Sequence, residues 1–337
     1  MPFPRAAGRA RPPVLVTRRL PEEALDRLAA RCEMTVYDSE GAIPRDRLLA
    51  EAAGKAGAIT VLTDRVDEEF LDAAGPQFAV VANYAVGFDN IDVDACTRHG
   101  VLACNTPEVL TDSTADIAFA LMMAAARRVA EGDRFLRSRT PWSWGPLMML
   151  GQEVHHATVG IVGFGRIGQA LARRARGFSM RVLYHDTYRP PAAEELAAEY
   201  RDLEDLLRES DFVSLHTILA PQTRHLINAE RLAMMKPTAV LVNTSRGPVV
   251  DEQALAQALK ENRIFAAGLD VFEREPEVHP ALLECGNAVL IPHLGSATVQ
   301  TRLAMANLAV DNLLAVLTGE SPPTPVNPQA AGRRTSP

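Results

Sequence analysis

The segment 158–186 constrains the fold of this chain most strongly, because it has the pattern of a complete strand–helix–strand unit. A β-branched apolar run, TVGIV, predicts a strand, and the residues GFGRIG that follow spell G-x-G-x-x-G. Helical composition continues from Gln169 to Arg176, and the run from Met180 to Tyr184 predicts a second strand. Such units build parallel sheets that are covered by helices.

Each glycine of the turn has its own mechanical role in a dinucleotide-binding unit. Gly163 allows the tight turn off the strand, Gly165 lets backbone amides approach a pyrophosphate, and Gly168 lets the helix pack on the strand. The phosphates then bind free N–H groups at the positive end of the helix. The first helical residues, Arg166 and Ile167, are therefore predicted cofactor contacts.

An acidic residue at the end of the second strand predicts which dinucleotide is bound. Asp186 can accept hydrogen bonds from the 2′-hydroxyl of an adenosine ribose, whereas a 2′-phosphate would be repelled there. NAD is therefore the predicted cofactor. Arg189 follows closely and can offset this repulsion, so NADP stays open as the alternative.

Length and composition limit the class of protein. A chain of 337 residues predicts about two domains, and 47% hydrophobic with 23% charged residues is ordinary for a globular protein. The net charge of −7 gives no reason to expect nucleic acid or membrane as a partner. The cysteines lack metal-binding spacing and predict buried thiols, no metal site and a cytoplasmic location: Cys32, Cys96, Cys104 and Cys285.

Strands alternate with helices before the glycine turn, which predicts a small α/β domain. The predicted strands there are 13–17, 34–37, 58–61, 78–83 and 101–104, and the predicted helices are 21–30, 44–53 and 67–74. The fourth strand leads into a loop where Gly87 can expose a backbone N–H to an anion, or can simply allow a turn.

The same alternation continues after the glycine unit and completes a larger doubly wound sheet. The predicted strands there are 211–216, 239–243, 265–271 and 288–291, and the predicted helices are 203–208, 229–235 and 252–261. A final helix is predicted at 296–317, with Gly319 as its C-terminal stop and a proline-rich tail after it.

The segment between the two sheets has two unusual features. Residues 111–137 predict one long helix that bridges the domains. The following loop, PWSWGP, carries Trp142 and Trp144 among prolines and glycine. Such a loop suggests an arm that reaches a partner subunit or covers a cleft, with local packing as the alternative.

Three polar residues follow predicted strands of the second sheet: Arg246, Glu275 and His293. Because open α/β sheets bind ligands at the carboxyl ends of their strands, these side chains should face one crevice beside the dinucleotide. Asp270, at the end of its own strand, could hold the nicotinamide carboxamide or a neighbouring group.

The chemistry that this set supports is reduction of a carbonyl by hydride transfer from NADH. Charge then builds on the carbonyl oxygen, and a protonated His293 can neutralise it as a general acid. Glu275 would orient the imidazole ring and favour its protonated form. Arg246 offers a fork of donors to a carboxylate or to the polarised carbonyl. The predicted product is a small 2-hydroxy acid.

The chain resembles the D-isomer-specific 2-hydroxyacid dehydrogenases, and among them the glyoxylate/hydroxypyruvate reductases. The resemblance extends over most of the chain, through the stretches NYAVGFDNIDVDACTRHGV, NTPEVLTDSTADIAFALM, GIVGFGRIGQALARRARGFSM, LVNTSRGPVVDEQAL, AGLDVFEREP and IPHLGSAT. It implies that Arg246, Glu275 and His293 are the catalytic triad. It also implies a carboxylate-binding loop at Val86 and Gly87, with Arg246 as a further substrate ligand.

The resemblance also implies the cofactor contacts, the assembly and the domain plan. Further cofactor contacts are expected at Thr114, Thr223, Thr244, Arg246, Asp270 and His293, the aspartate on the nicotinamide side. A homodimer formed through the cofactor domains is expected. A Rossmann cofactor domain, 105–295, should be inserted into a smaller flavodoxin-like substrate domain, which consists of 13–104 and 296–327. A disordered tail is expected at 1–12 and a second tail at 328–337.

Two positions depart from the family pattern. The residues EVHHA replace the usual L-x-G-K-T before the glycine-turn strand, which puts His156 where the family has glycine. Ile218 replaces a proline in the segment HTILAP. The turn before the strand and one wall of the cofactor pocket are therefore expected to differ.

Alternative functions remain within and outside enzymes. D-3-phosphoglycerate dehydrogenase or another D-2-hydroxyacid dehydrogenase is the nearest, although common long forms of the former carry a regulatory domain not expected here. Formate dehydrogenases pair the histidine with glutamine, so Glu275 argues against that chemistry, and phosphite dehydrogenases carry a lysine where this chain has Val86. An NAD-sensing corepressor that binds peptides is the alternative from another class.

Overall fold

The computed structural model describes residues 11–39 and 41–332, so residues 1–10 of the predicted N-terminal tail and residues 333–337 of the C-terminal one lie outside this part of the chain. The chain forms two compact units, Met1–Leu110 with Thr298–Pro337, and Thr111–Ala297. Within the described residues, no helix combines the length and the apolar character needed to cross a membrane.

The first unit is built on a parallel sheet of five strands. Its strands are β1 (Pro13–Val16), β2 (Glu33–Val36), β3 (Gly57–Thr60), β4 (Val80–Asn83) and β5 (Leu102–Cys104). Its first helices are α1 (Glu22–Ala29), α2 (Arg45–Ala52), α3 (Glu68–Ala74) and α4 (Val93–Arg98). The sequence pattern did not predict α4, because six residues with two buried positions are too few to show the helical repeat of apolar side chains.

The strand order of this sheet is β2-β1-β3-β4-β5, which confirms the flavodoxin-like prediction. The strands β3 and β4 are buried along their whole length, as expected for parallel strands that helices cover on both faces. Asp67 and Asp92 begin α3 and α4 as N-caps, because their carboxylates accept the N–H groups of Phe70 and Ala95.

The second unit is built on a parallel sheet of seven strands. Its strands are β6 (Thr158–Val162), β7 (Arg181–His185), β8 (Ala198–Tyr200), β9 (Phe212–Leu215), β10 (Val240–Asn243), β11 (Ala266–Leu269) and β12 (Ala288–Leu290). Its helices are α5 (Thr111–Ala126), α6 (Val129–Arg137), α7 (Arg166–Gly177), α8 (Ala192–Glu195), α9 (Leu203–Glu209), α10 (Ala229–Met234), α11 (Glu252–Lys260) and α12 (Pro280–Leu283).

The strand order of the second sheet is β12-β11-β10-β9-β6-β7-β8, with the glycine-turn strand β6 near its centre. Because the order reverses between β6 and β9, the carboxyl end of β6 lies at the switch point where such sheets bind dinucleotides. The predicted fold class, with two doubly wound parallel sheets, is confirmed. The short edge strand β8 was not predicted.

The single long helix predicted at 111–137 is wrong, because two helices occupy this segment. Arg128 interrupts them with φ +54°, in the left-handed region. The backbone N–H of Gln152 donates to the carbonyl oxygen of Ala126, so a later segment caps the end of α5. A helical pattern cannot reveal a break that a distant segment stabilises.

The last helix, α13 (Val299–Thr318), returns to the first unit. Thr298 is its N-cap, and Gly319 ends it with φ +84°, as predicted. Within the tail predicted at 328–337, Pro328–Gly332 form a 3-10 helix. Asn327 anchors this segment to β5, since its Oδ1 accepts the N–H of Ala103 at 2.8 Å.

Candidate active site

The glycine turn at the carboxyl end of β6 has the geometry that a dinucleotide requires. Gly163 has φ +92°, and a Cβ atom there would lie 2.6 Å from the carbonyl oxygen of His216, so only glycine fits. A Cβ at Gly168 would lie 2.3 Å from the Gly163 oxygen, which explains the close packing of α7 on β6. At Gly165 a Cβ would meet open space, where a phosphate can approach.

The helix α7 begins directly after this turn and presents the N–H groups of its first turn at the carboxyl end of β6. Gly165 is the N-cap and has no side chain to accept them. The predicted phosphate contacts Arg166 and Ile167 are the first two residues of the helix. The turn and the helix end therefore fit a pyrophosphate through backbone donors and the helix dipole.

Asp186 lies immediately after β7 and braces the glycine turn. Its Oδ2 accepts the N–H of Phe164 at 2.6 Å, and its Oδ1 accepts the N–H of Tyr188 at 3.2 Å. The guanidinium of Arg189 stacks on the Tyr200 ring, 3.9 Å from its centroid. Arg189, the residue that kept NADP as an alternative cofactor in the sequence analysis, is therefore engaged with an aromatic ring.

Two threonine hydroxyls on neighbouring strand ends support a bound cofactor. The Oγ1 atoms of Thr217, after β9, and Thr244, after β10, are buried and have no hydrogen-bond partner within the described residues. Buried hydroxyls are normally paired, so a ligand group is the expected partner. Thr244 was predicted as a cofactor contact; Thr217 was not, although its place after a predicted strand was a usable signal.

The other two predicted threonine contacts have different surroundings. Thr223 closes its own loop, because its hydroxyl donates to the carbonyl oxygen of Ile218 at 2.7 Å and accepts the N–H of Ala220 at 2.8 Å. Thr114 is buried in the first turn of α5 and lies against Gly295. Thr223 therefore shapes the loop by itself, whereas Thr114 borders the segment that carries His293.

The structure brings His293 and Glu275 together. Nδ1 of His293 lies 2.8 Å from Oε2 of Glu275, and Oε1 accepts the N–H of Phe272 at 3.0 Å. An ionised carboxylate only accepts hydrogen bonds, so Nδ1 carries a proton and Nε2 is the ring atom left for a substrate. Both side chains are about one-quarter exposed, at 29% and 24%, so a ligand can reach them.

The electrostatics of this pair favour an ionised carboxylate. Burial by itself raises the pKa of Glu275, but the hydrogen bond and charge of His293 outweigh it. The N–H of Phe272 and the charge of Arg246 add to this effect, so the pKa of Glu275 is lowered overall. The carboxylate is thus charged over the whole neutral range.

Arg246 lies at the carboxyl end of β10, close enough to Glu275 to lower the pKa of that carboxyl. The Asn243 side-chain amide donates to the Arg246 carbonyl oxygen at 2.9 Å and fixes the turn. The next residue, Gly247, packs so tightly that a Cβ there would lie 1.8 Å from the backbone carbon of Phe272. This contact locks the arginine turn onto the segment that leads to Glu275.

Asp270 directly follows β11 and holds the His293 turn. Its two carboxylate oxygens accept the N–H groups of Leu294 and Gly295, and its backbone oxygen accepts the N–H of His293 at 2.9 Å. His293 itself has φ +54°. Burial raises the pKa of Asp270, although these N–H groups oppose that effect. Of the two roles predicted for Asp270, the structure provides the bond to a neighbouring group.

The segment after β9 holds a histidine that sequence reasoning did not assign. His216 is half-buried, its Nε2 lies 2.9 Å from the Ser214 hydroxyl oxygen, and desolvation of the ring lowers the pKa of His216 to about 4. It is therefore neutral at physiological pH. Ile218, which replaces the family proline, is 77% exposed and so forms no enclosed wall within this unit.

The predicted carboxylate-binding loop lies in the first unit, directly after β4. Val86 and Gly87 are half-buried, and the backbone N–H of neither has a hydrogen-bond partner among the described residues. Two unpaired N–H groups on adjacent residues provide a small anion-binding turn.

His156, which replaces the family glycine before β6, adopts φ +63°. Its N–H donates to the carbonyl oxygen of Phe178 at 3.1 Å. Histidine thus adopts here the left-handed conformation that glycine favours, and the difference of this turn from the family pattern stays a prediction. Left-handed backbone costs a non-glycine residue roughly 1–2 kcal/mol.

The predicted cysteine thiols are confirmed as free and buried: Cys32, Cys96, Cys104 and Cys285. Burial raises the pKa of Cys96 and of Cys104 to about 12, so neither thiol is reactive at neutral pH.

Comparison with known proteins identifies one family. The model of the D-isomer specific 2-hydroxyacid dehydrogenase, NAD binding domain, matches residues 119–295. A glyoxylate reductase of Pyrococcus furiosus is 52% identical over 322 residues, which cover 94% of this chain and 96% of the relative. The similarity therefore includes both units.

Solved structures agree with the sequence comparison. The TT0316 protein from Thermus thermophilus has a TM-score of 0.88 and 46% identity, with 93% of this chain and 99% of that chain covered. The NADPH-dependent glyoxylate/hydroxypyruvate reductase from Sinorhizobium meliloti, in complex with NADP and malonate, has a TM-score of 0.83 and 33% identity, with 97% and 100% covered.

Proposed function

Because this chain belongs to the D-isomer-specific 2-hydroxyacid dehydrogenase family, we propose that it reduces glyoxylate and hydroxypyruvate to their 2-hydroxy acids. It is an NAD(P)H-dependent oxidoreductase that acts on small 2-oxo acids. The observation that carries this function is the His293–Glu275 pair, 2.8 Å apart, in the same unit as the glycine turn. D-3-phosphoglycerate dehydrogenase, the alternative from the sequence, is not favoured, because the close relatives are named glyoxylate reductases.

The second unit is the cofactor domain and the first is the substrate domain in this proposal. Val86 and Gly87 bind the substrate carboxylate through backbone N–H groups. Arg246 binds the carboxylate or the reacting carbonyl oxygen through its fork of donors. The cofactor contacts are the glycine turn, the N-terminus of α7, Asp186 and the unpaired hydroxyls of Thr217 and Thr244.

The residues of the second unit manage charge and protons during the reaction. The reduced nicotinamide supplies the hydride when it is bound. His293 donates a proton from Nε2 to the carbonyl oxygen as negative charge develops there. Glu275 keeps the ring oriented through Nδ1 and stabilises the imidazolium before transfer. Asp270 holds the backbone of the His293 turn.

A direct assay tests this function. Oxidation of NADH or NADPH is followed at 340 nm with glyoxylate, hydroxypyruvate, pyruvate and longer 2-oxo acids. We expect turnover to be fastest with glyoxylate or hydroxypyruvate. Saturable NADH binding without turnover of any 2-oxo acid would contradict the proposal and favour an NAD-sensing binding protein.

We propose that NADH is preferred over NADPH, because Asp186 disfavours a 2′-phosphate and the cation–π contact with Tyr200 holds Arg189. Replacing Asp186→Ala should reduce the NADH-to-NADPH ratio of kcat/KM by about tenfold, on the order of 1.4 kcal/mol. The measurement is kcat/KM with each cofactor at saturating glyoxylate. Asp202→Ala, at the N-terminus of α9, is the matched control and should keep the ratio. An unchanged ratio in Asp186→Ala would remove it from ribose binding.

We propose that the enzyme is a homodimer whose contact includes α6 and the tryptophan loop. No residue of α6 is buried, and large apolar side chains there face solvent: Val129, Leu136, Trp142, Trp144, Leu147 and Leu150. The exposure of Trp144 and Leu147 reaches 80%, which is unusual unless another surface covers them. A second copy of this chain is the proposed cover.

Sedimentation velocity tests the assembly. The wild-type protein should sediment with twice the chain mass of 36.6 kDa, and the double variant Trp144→Ser, Leu147→Ser should shift toward the monomer. Tyr188→Ser removes an exposed aromatic ring elsewhere in the same unit and should leave the mass unchanged. A wild-type monomer at micromolar concentration would refute the dimer.

The four free, buried thiols support a cytoplasmic location for the enzyme.

A further inference from the structure

The anion-binding turn of the first unit is held by hydrogen bonds to successive carbonyl oxygens. The Thr106 N–H donates to the Ala85 oxygen at 2.9 Å, and the Asn105 amide donates to the Val86 oxygen at 2.8 Å. The Asn83 side-chain amide donates to the Gly87 carbonyl oxygen at 2.9 Å. Every carbonyl from residue 85 to residue 87 is therefore anchored.

Anchoring a carbonyl also fixes the N–H group of the following residue. The peptide bond is planar and trans, so C=O and N–H point in opposite directions. The bonds to the Ala85 and Val86 oxygens therefore orient the N–H groups of Val86 and Gly87. The bond from Asn83 fixes the next peptide plane, whose N–H belongs to Phe88 and has no partner among the described residues.

Gly87 makes this anchoring important. Glycine has more backbone freedom than any other residue, so an unanchored glycine would adopt the anion-binding geometry only at a large entropic cost. Asn105 fixes the peptide plane before Gly87 and Asn83 fixes the plane after it. The two asparagines thereby hold both torsion angles of Gly87.

The amide of Asn83 is itself oriented by neighbours. Its Oδ1 accepts the Thr60 hydroxyl at 3.1 Å, and its Nδ2 also donates to Oδ1 of Asn90 at 3.1 Å. Asn90 is tied in turn to the carbonyl oxygen of Asp64 at 2.8 Å. Asn83 is 0% exposed at the end of β4, so it cannot touch a ligand and acts only through the turn.

We propose that Asn83, braced by Asn90, is a positioning residue that preorganises the turn 86–88 for the carboxylate of the 2-oxo acid. The proposal rests on the proposed function of Val86 and Gly87 as the carboxylate site. It adds the N–H of Phe88 as a third backbone donor whose direction Asn83 sets. A more mobile turn binds the 2-oxo acid less tightly, but the acid still accepts the hydride once it is bound. Loss of the Asn83 bond should therefore change KM more than kcat.

The test is the kinetics of Asn83→Ala with glyoxylate. We expect KM for glyoxylate to rise about tenfold, with kcat within about twofold and KM for NADH unchanged. Asn90→Ala removes the brace on Asn83 together with the Asn90 bonds to the Val61 and Asp64 oxygens, and it leaves the Asn83 side chain in place. It should raise KM by about threefold and serves if Asn83→Ala does not fold. The Kd of oxamate for the NADH complex, measured by calorimetry, should rise in parallel and does not depend on turnover.

The matched control is Asn327→Ala in the same unit. Asn327 is also 0% exposed and bonds backbone atoms, including the N–H of Ala103 at 2.8 Å, but it does not contact the turn. It should lower Tm and leave KM for glyoxylate unchanged. An equal rise of KM in this control, or unchanged KM and Kd in Asn83→Ala, would overturn the positioning role. A wild-type protein without turnover would instead overturn the proposed function, while the oxamate comparison would still decide the role of Asn83.

Discussion

Replacing His293→Asn should lower kcat for glyoxylate reduction by about 10²- to 10⁴-fold, the usual contribution of a general acid. Asparagine is the suitable substitution because His293 has φ +54°, which asparagine tolerates better than most residues. KM for NADH should stay close to the wild-type value, since the proton donor is not needed to bind the cofactor. Steady-state kinetics and NADH fluorescence titration measure the two quantities.

The matched control makes the same substitution at an exposed histidine. His155→Asn lies in the same unit, and its side chain is far more exposed than that of His293. It should leave kcat and Tm unchanged. A His293→Asn enzyme with wild-type kcat at neutral pH would show that the proton comes from another group.

The partner of the histidine gives this mechanism a pH signature. The pKa of Glu275 is lowered, so its carboxylate is lost only when the pH falls below the ordinary glutamate range. Wild-type kcat should therefore fall on the acid side only below that range, where the carboxylate is protonated and no longer orients the ring. Glu275→Gln has no carboxylate to titrate, so its kcat should be lower at neutral pH and should lack that acid fall. A kcat profile between about pH 3 and pH 8 is the measurement, and the same acid limb in both enzymes would contradict the role of Glu275.

Replacing Arg246→Ala should lower kcat/KM for glyoxylate by about 10²- to 10³-fold, because charge-assisted hydrogen bonds to a partly buried substrate contribute about 2–4 kcal/mol when one partner is removed. KM should rise sharply, and kcat should also fall if, as proposed, the guanidinium donates to the reacting carbonyl oxygen. Full kinetics over a wide range of glyoxylate concentration separate these two effects.

Arg246→Lys tests geometry against charge. A lysine keeps the positive charge and lacks the planar fork, so it should recover only part of the loss. Arg224→Ala removes an exposed arginine from the same unit and should have wild-type kinetics. Full activity in Arg246→Lys would indicate that charge alone is needed, and full activity in Arg246→Ala would remove the residue from the mechanism.

Several structural features were readable from the sequence because their signals are local. The glycine turn, the strand β6 and the acid after β7 follow one another within a short segment, so spacing alone predicts their arrangement. The alternation of buried strands with helices predicts two parallel sheets. The positions of Arg246, Glu275 and His293 after strands predict a common edge, and the contact of Glu275 with His293 agrees with that prediction.

Other features depend on residues far apart in the chain and have no local signal. The break between α5 and α6 is stabilised by the bond from Gln152 to Ala126, and the segment after Asn327 is ordered by its bond to Ala103. The place of Thr217 after a strand was visible in the sequence. That its hydroxyl is buried without a partner among the described residues, whereas the hydroxyl of Thr223 bonds within its own loop, was not.

The sequence by itself determined the fold class, the dinucleotide turn and the chemical types of the site residues, since these are set by residue identity and short spacing. Only the tertiary structure decided which groups work together. It showed that Asp270 holds the His293 turn, that Gly247 locks the arginine turn, and that Asn83 anchors the turn at Gly87. Hydrogen bonds and close contacts of this kind join segments distant in sequence, so their geometry exists only once the chain has folded.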